Sequence, residues 1–195
     1  MILDISQELF SCRVFPGDPA PKRERISSME DGAAYNLTAL SLCAHNGTHA
    51  DAPFHFIREG KTVGELDPGI FLGPAFVYTC AGELTGERAE DLLGLAARCG
   101  AGQRLLLRGD CVVTAEAARV FAASSLRLLG VESQTVGPEE APMEVHLILL
   151  GAEKVLLEGL RLGRVPDGRY FLSALPLNLG DADGAPCRAV LMTEN

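Results

Sequence analysis

Three of the chain's four histidines, His45, His49 and His55, lie within eleven residues. A glycine and a proline between them disfavour a helix, so the segment is expected to be extended or bent. Side chains two residues apart in an extended segment project to the same side, which would give His49, Asp51 and His55 one common face. Imidazole and carboxylate groups are the usual ligands of zinc-like divalent ions. The segment therefore predicts a metal site, and the fold has to bring these side chains together.

His45 can reach the same point only if the chain bends before His49, and Gly47 and Thr48 are placed to form that bend. The alternate side chains are apolar and would anchor the opposite face in a core; they are Ala50, Ala52, Phe54 and Phe56. Any one of these histidines could be a hydrogen-bonded core residue, but that explanation would have to hold for all of them at once.

Two further candidates stand alone in the sequence. His146 is surrounded by apolar residues, and its local sequence favours a core histidine that is hydrogen-bonded to a backbone carbonyl. Glu158 ends the predicted strand that begins at Lys154. A carboxylate at a strand end is usually solvated, but α/β proteins also place functional groups there.

Charge and hydropathy exclude several classes of protein. The net charge of −9 and the absence of a Lys/Arg cluster argue against nucleic-acid and anionic-membrane partners. No stretch approaches the ~20 apolar residues of a membrane span, and no signal peptide is visible at the start. The six scattered cysteines lack any Cys-x-x-Cys pair, so reduced thiols in a cytoplasmic protein are expected rather than disulfides.

The length of 195 residues and the pattern of elements predict one domain over residues 1–195. Helical periodicity covers 87–98, Thr114 can cap a helix over 115–123, and Pro142 can begin a helix that Gly151 ends. The predicted strands are 2–6, 35–43, 74–80, 103–108, 126–131, 154–158, 170–174 and 187–192. This alternation predicts a mixed α/β fold with a sheet partly covered by helices.

The segment from His45 to His55 resembles the signature His-x-Gly-Thr-His-x-Asp-x-Pro-x-His of the cyclase family of metal-dependent hydrolases, of which the bacterial kynurenine formamidases are members. Further similar segments lie at 16–19, 72–75, 174–177 and 181–190. The resemblance implies a swivelling β/β/α domain, an association into homodimers or higher homo-oligomers, and a divalent metal, zinc or manganese, as one or two ions.

Roles for single residues follow from the same resemblance. His45, His49 and Asp51 would hold one metal, and Asp51 would bridge to a second ion held by His146 and Glu158, which have the expected separation of twelve residues. His55 would be the catalytic acid/base. Phe15 would supply an apolar wall of the substrate pocket. The segment 181–184 begins like a calcium loop but lacks the remaining ligands, so a hairpin turn is expected there.

The implied activity is hydrolysis of a small-molecule amide or formamide, with N-formylkynurenine, an intermediate of tryptophan catabolism, as the first candidate substrate. The chain has Phe15, Gln134 and Gly137 where kynurenine formamidases tend to have Trp, Pro and Asp. Lactones, cyclic imides and other cyclic amides therefore remain alternative substrates. A non-catalytic metal or small-molecule binding protein is the alternative of another class, and the presence of His55 argues against it.

Overall fold

Strands and helices alternate through the middle of the chain in the computed structural model, which describes residues 1–193. The helices are α1 (Gly86–Arg98), α2 (Ala115–Ala123) and α3 (Met143–Gly151). The strands are β1 (Ile2–Asp4), β2 (Lys22–Ser27), β3 (Leu37–Ser41), β4 (His49–Asp51), β5 (Leu72–Thr79), β6 (Gly82–Leu84), β7 (Arg104–Arg108), β8 (Cys111–Val113), β9 (Leu128–Val131), β10 (Val155–Glu158), β11 (Gly168–Ser173), β12 (Gly184–Pro186) and β13 (Val190–Met192).

Nine of these strands form one curled mixed sheet in the order β1-β13-β11-β5-β7-β9-β10-β4-β12. The four middle strands β5, β7, β9 and β10 run parallel to one another, and antiparallel strands extend the sheet on both sides. Parallel strands are joined by crossovers, which place helices on the face of the sheet. Helix α1 lies in the crossover from β5 to β7 and α2 in the crossover from β7 to β9, and each helix follows one strand of the small parallel pair β6–β8.

Alternate residues of the middle strands enter two separate apolar cores. Leu105 and Leu107 of β7 pack with the three helices, whereas Leu106 faces the opposite side of the sheet. Strands buried on both faces read as continuous apolar runs, and that made β7, β9 and β10 visible in the sequence. The predicted mixed α/β architecture with a partly covered sheet is confirmed.

The predicted helices are present, and their caps explain where they begin. The Thr85 and Thr114 side chains accept hydrogen bonds from the backbone N–H groups of Arg88 and Ala117, which would otherwise have no partner in the first turn. Pro142 immediately precedes α3, which ends at Gly151. Across residues 1–193, no helix has the length and apolar character needed to cross a membrane.

The prediction about the cysteines is wrong for one pair, since Cys80 and Cys111 form a disulfide with their Cα atoms 5.2 Å apart. The pairing of β6 with β8 places Gly82 opposite Cys111 and so brings the two cysteines together from 31 positions apart in the chain. Strand pairing of this kind leaves no mark in cysteine spacing. The other four cysteines, which are Cys12, Cys43, Cys99 and Cys187, are free.

Candidate metal centre

Strand β4 carries the centre of the histidine segment and lies between β10 and β12 in the sheet. Ala50 points into the core on the face away from the helices, so its neighbours His49 and Asp51 point to the helical face. The antiparallel register places Glu158 of β10 opposite His49. His146 reaches the same place from α3, which packs on that face. The period-two prediction for His49 and Asp51 is therefore confirmed.

Three imidazoles surround the Asp51 carboxylate. Asp51 Oδ1 lies 2.8 Å from His45 Nδ1 and 3.3 Å from His49 Nε2, and Oδ2 lies 3.7 Å from His146 Nε2. The Glu158 carboxylate closes the group, 3.5 Å from His49 Nε2 and 3.3 Å from His146 Nε2. The predicted bend before His49 is present, and it returns His45 to Asp51. All five candidate ligands thus converge on one point.

Backbone carbonyls orient two of the rings. His49 Nδ1 donates to the carbonyl of Gly47 at 3.0 Å, and His146 Nδ1 donates to the carbonyl of Pro142 at 2.8 Å. Each ring therefore presents Nε2 to the carboxylates. Metal-binding histidines are commonly held in this way, because a hydrogen bond to the second ring nitrogen fixes the tautomer and the ring plane.

The electrostatics of the group favour positive charge between the carboxylates. Burial disfavours charge on His45, but hydrogen bonds with Asp183 and Asp51 outweigh it and raise the pKa of His45 to about 11. Burial opposes charge on His49 too, and its hydrogen bonds with Asp51 and Glu158 raise its pKa to about 10. Although burial would raise the pKa of Asp51, its hydrogen bonds with His45 and His49 hold that pKa well below the ordinary value.

A divalent cation would satisfy this arrangement. Asp51 Oδ2 is the one buried side-chain oxygen or nitrogen within residues 1–193 that has no hydrogen-bond partner, and it lies at the centre of the group. Ligand atoms from His49, Asp51 and Glu158 lie within 4.8 Å of one another, and so do atoms from His45, Asp51 and His55. A buried carboxylate oxygen without a partner is costly, and a metal ion would remove that cost. The residues present fit a divalent metal.

His55 reaches the site by a different route from the one predicted. Pro53–His55 is a turn of 3₁₀ helix rather than a continuation of β4, because a proline fixes φ near the helical value and lacks the N–H that a strand ladder uses. The expectation that His55 shares the extended face of His49 is therefore wrong. The turn nevertheless places the His55 ring on the His45 ring, with centroids 4.0 Å apart.

Asp183 is the functional candidate that the sequence prediction missed. Its Oδ2 lies 2.8 Å from His45 Nε2 and 3.1 Å from His55 Nδ1, and these hydrogen bonds hold the pKa of Asp183 well below its ordinary value. The turn predicted for 181–184 is present, since residues 180 and 181 form a turn between Pro176 and Cys187, which make an antiparallel bridge. The strand that follows, β12, also pairs with β4, which precedes it by more than a hundred residues. Its signals in the sequence were a pair of aspartates beside a glycine and the resemblance of the segment 181–190 to the cyclase family.

Gly184 allows this approach of β12 to β4. A Cβ atom on Gly184 would lie 2.6 Å from the carbonyl oxygen of Ala50 and 2.9 Å from His45 Cε1. Such distances are shorter than a carbon atom tolerates, so a side chain here would displace either β12 or the His45 ring. The glycine after Asp183 is thus required by the close packing of β12 against the site.

A cavity of about 210 Å³ opens above the group. It is lined by the predicted residues Phe15, His45, His49, His55, His146 and Glu158, together with Asp18, Phe56, Gln134, Thr135 and Pro142. Of the three positions that differ from the kynurenine formamidases, Phe15 and Gln134 line the cavity. Gly137 does not, and at its φ of 93° a side chain would be strained and would meet Val145.

Comparison with known proteins gives one family match. The family model described as "Putative cyclase" matches residues 3–138. This range includes the histidine segment from His45 to His55 and ends before His146, Glu158 and Asp183.

The fold is similar to several solved structures along the whole chain. A structure described as a potential metal-dependent hydrolase with cyclase activity is 27% identical, with a TM-score of 0.81 over 100% of this chain and 99% of the other. A predicted metal-dependent hydrolase from Bacillus stearothermophilus is 26% identical, with a TM-score of 0.78 over 98% and 97%. Isatin hydrolase A from Labrenzia aggregata, bound to benzyl benzoate, is 26% identical, with a TM-score of 0.82 over 100% and 94%.

Proposed function

Because the chain belongs to the Cyclase family, whose model covers residues 3–138, we propose that it is a divalent-metal-dependent hydrolase that cleaves the carbon–nitrogen bond of a small amide. Three solved structures with more than 25% identity support this class, since two are described as metal-dependent hydrolases and the third is an isatin hydrolase. One structural observation carries the proposal. The unpartnered Asp51 Oδ2 lies among four other ligand-type side chains below an open cavity.

The five side chains around that oxygen would hold the metal. His45, His49 and Asp51 form the first site, and His146 and Glu158 would contribute to a second site that shares Asp51. A bound divalent ion would polarise the amide carbonyl and lower the pKa of water toward ~7. Zinc is the first choice for a site of nitrogen and oxygen ligands, and manganese is the alternative.

The protein's own side chains divide the remaining work. The ring of His55 is 27% exposed and lines the cavity, so it can exchange protons with a substrate above the metal. It would protonate the leaving nitrogen as the carbon–nitrogen bond breaks, a contribution typically of ~10²–10⁴ in rate. The apolar walls from Phe15, Phe56 and Pro142 would exclude water from the substrate and contact an aromatic ring.

An N-aryl amide suits this pocket, and N-formylkynurenine is our first candidate substrate. Its amide joins a formyl group to an aromatic ring, so the ring can contact the apolar walls while the carbonyl approaches the metal ligands. Gln134 adds a polar group to the wall where the kynurenine formamidases tend to have a proline, and that difference can change which ring substituents are accepted.

A cyclic aryl amide is the second candidate, and a specific observation favours it. The isatin hydrolase of Labrenzia aggregata matches this chain over its full length at 26% identity. Isatin shares with N-formylkynurenine an amide nitrogen attached to an aromatic ring, but its amide bond is part of a five-membered ring. The same pocket chemistry therefore serves both substrates, and the shape of the walls selects between them.

Steady-state kinetics on metal-loaded protein test the proposal with four substrates: N-formylkynurenine, formanilide, isatin and a γ-lactone. We expect kcat/KM above about 10⁴ M⁻¹s⁻¹ for at least one of the two candidate substrates, N-formylkynurenine and isatin. A much higher value for isatin would assign the cyclic substrate. Stoichiometric metal binding with no turnover of any of the four would instead indicate a binding protein and refute the hydrolase proposal.

We also propose that the protein is a homodimer or higher homo-oligomer in the cytoplasm. The antiparallel pair β2–β3 supports the oligomer, because an isolated two-stranded sheet has only marginal stability in water. Three apolar side chains on this pair, Ile26, Leu37 and Leu40, are 45–59% exposed. A second subunit would cover these side chains. Size-exclusion chromatography with light scattering measures the molar mass in solution, which decides the oligomeric state.

A further inference from the structure

Asp183 connects the candidate metal ligand His45 to the candidate acid/base His55. One carboxylate oxygen, Oδ2, receives hydrogen bonds from His45 Nε2 and His55 Nδ1 at 2.8 and 3.1 Å. An ionised carboxylate can only accept hydrogen bonds, so both ring nitrogens must carry their proton. In His55 this leaves Nε2, on the other side of the ring, as the nitrogen that can exchange a proton with a substrate.

The backbone holds Asp183 in this position. Its carbonyl oxygen accepts a hydrogen bond from the N–H of Ala52 at 2.9 Å, and the next residue, Gly184, lies opposite Asp51 in the β4–β12 ladder. The close packing of Gly184 against His45 fixes the same stretch from the other side. The carboxylate is therefore a fixed point for the two rings, whose centroids lie 4.0 Å apart with an angle of 31° between the ring planes.

We propose that Asp183 is a positioning residue for the hydrolysis and that it acts through His55. This inference rests on the proposed function. In the reaction, the oxygen of water bonds to the amide carbon, and the carbon–nitrogen bond breaks with its electron pair going to nitrogen. The nitrogen takes a proton from Nε2 of His55, and His55 regains the proton that water loses. Asp183 keeps Nδ1 protonated and the ring plane fixed throughout, so that Nε2 performs both transfers.

The Asp183→Asn variant tests this with Asp181→Asn as the matched control. Asp181 is an exposed aspartate two positions earlier in the same segment, so its replacement removes the same charge. We expect Asp183→Asn to lower kcat for formanilide by ~10–100-fold with KM and metal content near wild type, and Asp181→Asn to change nothing. Equal losses in the two variants would show a general charge effect and overturn the proposal.

A double-mutant cycle with His55→Ala separates positioning from structural support. If Asp183 acts through His55, Asp183→Asn should change kcat by less than about 3-fold once His55 has been removed, because residues that work as one unit are strongly non-additive. An undiminished loss in the His55→Ala background, or a fall in metal content, would mean that Asp183 acts through His45. A smaller loss for p-nitroformanilide than for formanilide is expected too, since its leaving group needs less protonation.

The tautomer of His55 can be measured without a substrate. Long-range ¹H–¹⁵N spectra of the zinc-loaded protein should show the His55 ring protonated at Nδ1, with assignment from the missing signals of His55→Ala. Protonation at Nε2 alone would overturn the proposal. This readout stays informative if none of the four substrates is hydrolysed, so failure of the inference and failure of the proposed function remain distinguishable.

Discussion

Binding of one metal ion at the site of His45, His49 and Asp51 should release about two protons per protein at pH 7. His45 and His49 have pKa values of about 11 and 10 in the metal-free protein, so both rings carry a positive charge at neutral pH. A histidine binds a metal through a ring nitrogen that carries no proton, so a charged ring must first become neutral. Each of these two ligands must therefore lose one proton before or as the metal enters.

The magnitude follows from the gap between pH 7 and each pKa. Deprotonation costs roughly 1.4 kcal/mol per pH unit of that gap, which is about 4 kcal/mol for His49 and about 5–6 kcal/mol for His45 before any metal–ligand bond contributes. With two protons released, the apparent association constant should rise about a hundredfold for each pH unit between pH 7 and 9. The metal-free protein should show the opposite trend in stability. Its two raised pKa values contribute stability that is present in full below pH ~6.5 and lost as the pH rises through 10–11.

Titration calorimetry with zinc in buffers of different ionisation enthalpy measures the number of protons released. Because the buffer takes up the released protons, the slope of the observed enthalpy against the ionisation enthalpy of the buffer should be about −2 at pH 7. The His55→Ala variant should give the same value if His55 is not a ligand. A slope near zero would refute the reasoning, since it would mean that the carboxylates do not hold His45 and His49 in the charged form.

Three further outcomes are expected from single substitutions. His55→Ala should keep the metal while lowering kcat by roughly 10²–10⁴; loss of metal, measured by elemental analysis, would make His55 a ligand instead. Gly184→Ala should destabilise the fold by about 1–3 kcal/mol in thermal unfolding, whereas Gly163→Ala, where a Cβ meets nothing within 4 Å, should be close to neutral. Phe121→Ala, at a side chain with 0% exposure, should cost about 3–5 kcal/mol in denaturant unfolding, and Leu147→Ala, at 42% exposure, much less. An equal cost for the last two would contradict the core assignment.

Local sequence patterns predicted the parts of the fold that depend on local physics. The helix predicted at 87–98 follows from a period of 3.6 residues, the helix at 115–123 follows from the cap at Thr114, and the middle strands follow from apolar runs. The geometry of His49 and Asp51 also follows locally, because a period of two in one strand puts them on one face. The convergence of the five candidate ligands is a structural result, whereas their roles stay predictions until metal is measured.

Local sequence patterns could not predict which distant segments pair in the sheets. Asp183 belongs to the site because β12 pairs with β4, and nothing between residues 181 and 184 indicates that partner. The disulfide between Cys80 and Cys111 has the same origin in the pairing of β6 with β8. His55 shows a different limit. The proline before it ends the strand locally, and only the complete fold shows that the resulting turn still brings the ring to His45.

The order of strands β10-β4-β12 has a consequence for biosynthesis. His49 and Asp51 are made early, but the strands that flank them, with Glu158 and Asp183, emerge from the ribosome more than a hundred residues later. Segments so far apart join only after a costly loop closure. Until then a nascent chain holds only the segment from His45 to His55, without Glu158 and Asp183 and without the strands that flank β4. Metal uptake should follow synthesis of these later strands. The bound ion would then link the early segment around β4 to Glu158 in the later part of the chain.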